Sequence, residues 1–191
     1  MSEIKAVNLR LFKKKANENK RSFRKFLTKL EKERPKKLLG IAEEIEKEVW
    51  NEVDCLTCAN CCKTMTPTFT PADMKRISAH FGQTVDEFKE KWLRKERKKD
   101  GDWMNKVEPC QFLNLKDNKC SIYEIRPADC AGFPHLTKSM KDYVHVHKQN
   151  IEYCPATYKL VEKMMASLKP PSDFPQQEKP SSHSPRYSKI Q

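Results

Sequence analysis

Four cysteines within eight residues, Cys55-x-x-Cys58-x-x-Cys61-Cys62, constrain this chain more than any other feature. Thiols packed this densely need a cation or disulfide bonds to tolerate one another once they ionise. Four more, Cys110, Cys120, Cys130 and Cys154, follow downstream. A local loop can thus supply the first ligands of a metal or cluster site, and distant segments can close it. Residues three apart converge readily on one ion, whereas the adjacent Cys61 and Cys62 project differently. That spacing makes Cys55, Cys58 and Cys61 the arm of one shell, while Cys62 either caps that shell from another side or serves a second group, assembled from Cys110, Cys120, Cys130 and Cys154.

Eight thiols divide into two four-ligand shells: two zincs, a zinc and a cluster, or one cluster with further structural thiols. The Cys-x-x-Cys-x-x-Cys run with a later Cys154-Pro155 echoes a ferredoxin loop, but paired Cys-x-x-Cys units serve zinc equally well. Spacing leaves zinc ions and an iron–sulfur cluster both open. Thiol redox chemistry and an inert buried set are the remaining readings.

The charge balance sharpens the demand for cations. Residues 1–40 hold 14 Lys/Arg against 4 acids, residues 169–191 hold 4 against 2, and residues 41–168 balance at 20 against 20. Eight thiolates in that balanced segment need a counter-charge to sit in a compact body. At 37% apolar and 34% charged residues the core is modest, and a modest core calls for a staple. The N-terminus, Met1 to Arg10, has no apolar run of the secretory kind, and no stretch approaches the ~18–20 apolar residues of a membrane span. Free thiols in a reducing cytoplasm bind metals, so a soluble cytoplasmic protein is expected.

Along the chain, apolar residues three and four apart predict a helix over residues 4–32, through Ile4, Val7, Leu11, Phe23, Phe26, Leu27 and Leu30. Beyond Pro35, Leu38, Ile41, Ile45 and Val49 predict a second, running to about Val53. Thr66–Thr70 reads as extended. Thr70-Pro71-Ala-Asp73 and Thr84-Val-Asp-Glu87 are capping boxes that open helices to Phe81 and to about Arg94, with Gly82 ending the first. Short apolar runs around Asp117-Asn118 predict a hairpin holding Cys110 and Cys120, and Pro127 opens a turn carrying Cys130. Tyr143-Val-His-Val-His147 alternates like a strand, and a final helix follows Cys154-Pro155 to about Leu168, with Tyr158, Val161 and Met165 inward. Composition makes residues 169–191 a disordered tail. The expected organisation is a basic N-terminal helix at 1–34, a cysteine-cluster metal-binding domain at 35–168, and that tail. Its class is α+β: a small cysteine-rich domain with a short β-hairpin, flanked by N- and C-terminal helices.

The cluster at Cys55–Cys62, with Pro109-Cys110-Gln-Phe-Leu113, Cys120-Ser-Ile-Tyr-Glu124, Arg126-Pro127-x-x-Cys130-x-x-Phe133-Pro134 and Cys154-Pro155, resembles the YkgJ-type cysteine-cluster family of zinc- or iron-chelating domains. The likeness covers about residues 50–157. It implies a small α+β domain with all eight cysteines as candidate ligands, in a family whose biochemical role is mostly unassigned. Some flagellin lysine methylases carry a similar module, which implies methyl transfer more remotely. The chain departs from the pattern at Ala59, where the family often has Gly, and at Ala131, where it often has Arg. The second change removes a possible donor to sulfur and leaves Arg126 as the nearest one.

Other residues are read more plainly. Arg126 either donates to thiolates or pairs with Glu124 or Asp129. On a strand His145 and His147 would share one face, but eight cysteines already fill two shells. His135 is structural or sits behind the ligands, and Tyr123, Trp92 and Trp103 are core or rim aromatics. No phosphate loop, dinucleotide fingerprint or nucleophile elbow occurs. Three functions follow: a metal-binding protein, an iron–sulfur-dependent redox or methyl-transfer enzyme, or a zinc-stabilised module that binds nucleic acid or an acidic partner through the basic N-terminal helix. The plain alternative for that helix is a solvated rod packed by its apolar stripe.

Overall fold

A computed structural model describes residues 6–33, 37–97, 100–137 and 140–168, so Ile4 and the expected tail at 169–191 lie outside the described residues. The elements run α1 (Leu9–Glu33), α2 (Leu38–Glu52), α3 (Cys55–Cys58), α4 (Asn60–Thr64), β1 (Thr68–Phe69), α5 (Pro71–His80), α6 (Val85–Trp92), β2 (Leu93–Lys95), β3 (Trp103–Asn105), a 3-10 turn (Tyr123–Ile125), α7 (Ala128–Gly132), α8 (Met140–Asn150) and α9 (Pro155–Ser167). They build two apolar cores with the cysteines between them.

The larger core is helical. α1 packs on α8 and α9, and α2 packs on α9. Phe12, Ala16, Phe23, Leu27 and Leu30 form the buried stripe of α1, and Leu38, Ala42, Ile45 and Val49 that of α2. The polar middle of α1 keeps phase because Ala16 fits the interface and Tyr158 of α9 fills the space beside it. The Tyr158 ring lies 5.8 Å from Phe12 and 4.9 Å from Phe23, and its hydroxyl accepts from Asn19 Nδ2 at 2.9 Å. Leu11, expected inside, is exposed because Phe12 takes the inward phase.

The smaller core joins α5 and α6 to an antiparallel sheet of order β1-β3-β2, in the register Thr68 to Met104, Phe69 to Trp103 and Leu93 to Asn105. Phe69, Met74, Ile77, Phe88, Leu93, Phe112 and Ile122 fill it, with Trp92, Trp103, Cys110 and Cys120 against its edge. Both capping boxes form: Thr70 with Asp73, and Thr84 with Glu87. Gly82 turns the chain after α5 at φ +63°, which favours glycine.

Three expectations are corrected. The helix opened by Thr84 stops at Trp92 instead of Arg94, because Leu93–Lys95 leaves it to pair with β3. The hairpin at Cys110–Cys120 shrinks to a single bridge between Leu113 and Cys120, closed by Ser121 N–H to Phe112 O and Asn114 N–H to Lys119 O. Its ends instead feed cysteines toward the cluster. The segment Tyr143–His147 is helix, since Val144, His147 and Ile151 are buried at steps of three and four; His145 points to solvent and does not share a face with His147.

Candidate metal centre

Local chain chemistry builds the dense cluster. α2 ends at buried Val53, and Asp54 caps α3 by accepting from Leu56 N–H, placing Cys55 and Cys58 one turn apart. Ala59 then adopts φ 45°, ψ 21°, and this left-handed reversal starts α4 with Cys61 and Cys62. The conformation explains the family's glycine at this position, because a Cβ strains the left-handed region.

Each core grips one side of the cluster. Asn60, buried, donates from Nδ2 to the carbonyl of Tyr153 at 2.6 Å, and Cys154 follows as the cap of α9. Its Sγ accepts from Thr157 N–H at 3.5 Å. On the opposite side Cys110 N–H donates to Cys62 O at 2.8 Å, and Asn118 Nδ2 donates to Thr57 O at 3.0 Å. Cys130 rides on α7, which carboxylates tie to the sheet side: Asp129 accepts from Thr68 N–H at 3.0 Å, and buried Asp73 accepts from Ala128 N–H at 3.1 Å. Asn60 and Asp73 are supporting residues that the cysteine pattern did not reveal. The Asp73 capping box was the only signal of either.

All eight cysteines are free thiols. Burial pushes the Cys55 thiol up to about 12, helped by the charges of Cys154, Cys58, Asp54 and Cys62. Cys61 and Cys62 have Sγ atoms 3.9 Å apart, where either thiol can donate to the other; their hydrogen bond raises Cys61 and lowers Cys62 to about 7. Burial raises Cys130, and the charges of Cys62, Asp129, Cys110 and Cys120 add to it. Burial also raises Cys110 and Cys120, both of which feel Cys62. Cys154 is raised by burial against the N–H groups of Thr157 and Ala156, and it feels Cys58.

These mutual fields sort the thiols. Cys154 acts on Cys55 and Cys61 and responds to Cys58, Cys110 and Cys120 act on Cys130, and Cys62 stands between the two groups, acting on Cys55, Cys58 and Cys61 as well as on Cys110, Cys120 and Cys130. Spacing groups Cys154 with Cys62; at the start of α9 it acts on Cys55 and Cys61 and feels Cys58. Among the described residues, no three His, Cys, Asp or Glu side chains already close around one point in a shell that could hold an ion. The donor set nonetheless fits a soft cation, since mutually repelling buried thiols gain most from one.

The neighbouring residues take modest roles. Arg126 makes neither expected ion pair among the described residues; its guanidinium lies 3.9 Å from the Tyr123 ring centroid, donates to Tyr123 O at 2.6 Å, and lowers Cys120 only slightly against burial. His135 takes φ 55° with its imidazole against Gly132, where any added Cβ would collide with the ring. His147 is fully buried in the helical core, where burial holds it neutral at about 4. Trp92 and Trp103 pack against the smaller core, while Tyr123 is exposed. A cavity of about 410 Å³ lined by Gly82, Gln83, Glu87, Glu90 and Lys91 contains none of the cysteines.

Fold and site together define a small α+β protein that gathers eight thiols between a helical core and a sheet core. The chain belongs to the CxxCxxCC family, described as "Putative zinc- or iron-chelating domain", whose model matches residues 54–170, more than half of its length. It is also similar to an uncharacterized protein of Methanocaldococcus jannaschii, 31% identical over 81 residues. That match takes in 42% of this chain and 43% of the relative, so the chain spans less than half of the protein it resembles. No solved structure matches. No helix among the described residues is long and apolar enough to cross a membrane.

Proposed function

We propose that the protein chelates metal at two adjacent four-thiol sites, one from Cys55, Cys58, Cys61 and Cys154 and the other from Cys62, Cys110, Cys120 and Cys130. The single observation that carries this reading is the pair of hydrogen bonds that hold the cluster from its two sides, Asn60 Nδ2 to Tyr153 O next to Cys154, and Cys110 N–H to Cys62 O. The first set ties α3 and α4 to the start of α9 in the helical core. The second ties Cys62 to segments packed on the sheet core. Zinc or iron, alone or as an iron–sulfur cluster, supplies the positive charge that lets these thiols ionise together, and their proton release makes binding free energy part of folding free energy. The proposed role is therefore a clamp between two cores, in a reducing compartment such as the cytoplasm where the thiols stay free.

Elemental analysis and an absorption spectrum of protein purified without oxygen test the idea. The expected result is two zinc equivalents without colour, or iron and sulfide with a visible band that bleaches on reduction. Cys58→Ser should empty the first site and leave the second loaded, as should Cys154→Ser. Metal below one equivalent in the native protein, or loss of both sites from Cys154→Ser with Cys110→Ser harmless, would refute the partition.

A further inference from the structure

Of the ten cations of α1, Lys29 pairs with Glu33, Lys13 and Lys15 lie off to the sides, and the other seven form two groups. Lys20 and Arg24 face α8 and the turn after it, and both reach Glu152 at 2.7 Å; Lys148 of α8 reaches Glu31 at 2.5 Å. Arg10, Lys14, Arg21, Lys25 and Lys32 recur at steps of four and seven residues, all exposed, on the face opposite the buried stripe. Among the described residues no carboxylate pairs with Arg10, Arg21, Lys25 or Lys32, and Lys14 meets only exposed Glu18 at 4.0 Å. Asn17 and Glu18 fill one gap and Thr28 and Lys29 the other; exposed Leu11 lies beside the N-terminal end of the row, and no aromatic side chain interrupts it. From Arg10 to Lys32 the ridge is about 33 Å long at 1.5 Å per residue.

We propose that this ridge docks on the phosphate backbone of a nucleic-acid duplex, without reading base sequence. A rigid row of cations suits a rigid row of phosphates, and packing of the opposite face on α8 and α9 keeps it straight. A single strand is the poorer match because the ridge offers no aromatic platform for bases. An anionic membrane is poorer too, since the apolar stripe that would enter the headgroup region is already buried against α8 and α9. The ridge shares no residue with the thiol site, so its failure leaves the chelation reading untouched.

The test uses the metal-loaded full chain and fluorescence anisotropy with a 30-base-pair DNA duplex, its RNA counterpart, the single strand, and phosphatidylserine vesicles. Five phosphate contacts give a log–log salt slope of about −4.5 on a duplex. The double variant Arg21→Gln/Lys25→Gln should reduce that slope by about 2 and weaken binding about fiftyfold near 0.1 M salt, with an unchanged melting temperature. Lys159→Gln/Lys163→Gln removes the same formal charge from residues paired with Glu52 and Glu48, and should change affinity by less than about twofold. Equal weakening by both pairs would mean that net charge alone attracts the duplex, and would overturn the proposal. So would an absence of duplex binding at 50 mM salt, or tighter binding to the single strand or the vesicles.

Discussion

The helical core and the sheet core solve stability differently. The first buries twenty residues on four helices and the segments that flank them, and adds exposed ion pairs at its edges, such as Lys159 and Lys163 with Glu52. The second buries only seven, around strands of two and three residues. A sheet that short has few ladder hydrogen bonds, and seven side chains remove too little apolar surface to order the long connections around them. Hence Cys110, Cys120 and Cys130 hang on the part of the molecule that most needs a staple. A metal-stabilised region can be small where a helical region must be large.

The sharpest way to break this comparison is to strip the metal. Hydrogen exchange should then lose protection across residues 66–125 by two orders of magnitude or more, while α1, α2 and α9 retain most of theirs. Simultaneous melting of both cores would show that they form one cooperative unit. Next in size is Phe88→Ala, which empties the centre of the sheet core and should cost about 3–5 kcal/mol. Helical circular dichroism should survive this variant, whereas Leu27→Ala, at about 2–5 kcal/mol, should erode it.

His147 separates the cores by pH. Burial lowers its imidazole from 6.5 to about 4, so above pH 6.5 both folded and unfolded chains leave it neutral. As pH falls from 6.5 toward 4 the unfolded chain takes up a proton that the folded one refuses, and stability drops by roughly 3 kcal/mol. His147→Leu should abolish that part of the acid sensitivity in denaturant titrations of the helical core and leave the sheet core's response alone. A pH response unchanged by the substitution would mean that the imidazole does not titrate on unfolding. The smallest effect belongs to Ala59→Gly, which relieves the left-handed backbone between α3 and α4 and should raise the melting midpoint by the equivalent of about 0.5–1 kcal/mol. A loss of stability would show that the cluster loop tolerates Ala59 without strain.

Much of this fold is legible in the chain because its signals are local. The stripes of α1, α2 and α9, the boxes at Thr70 and Thr84, Gly82 and the Cys154-Pro155 start each depend on residues within a turn or two. The misreadings are those where period was ambiguous or a distant partner intervened. The alternation of Tyr143–His147 fits a strand, the three-residue step from Val144 to His147 fits a helix, and only the packing of α8 on α1 selects the helix. Leu93 would continue α6 were β3 not there to pair with it. Leu11 and Phe12 are equally apolar, and Tyr158 decides which of them turns inward.

The cysteine count, their order, the basic N-terminal segment and the family were fixed by sequence alone, since each is a property of residue identity and spacing. Which thiols stand together was not. In the proposed partition Cys154 joins the first group because α9 starts beside Asn60, and Cys62 joins the second because Cys110 N–H holds its carbonyl. Likewise helical spacing alone puts Arg10, Lys14, Arg21, Lys25 and Lys32 on one face of α1, and only the position of Glu152 shows that Lys20 and Arg24 are neutralised. Electrostatic partnership depends on distance through space, which spacing along a chain fixes within one helix and leaves free between two.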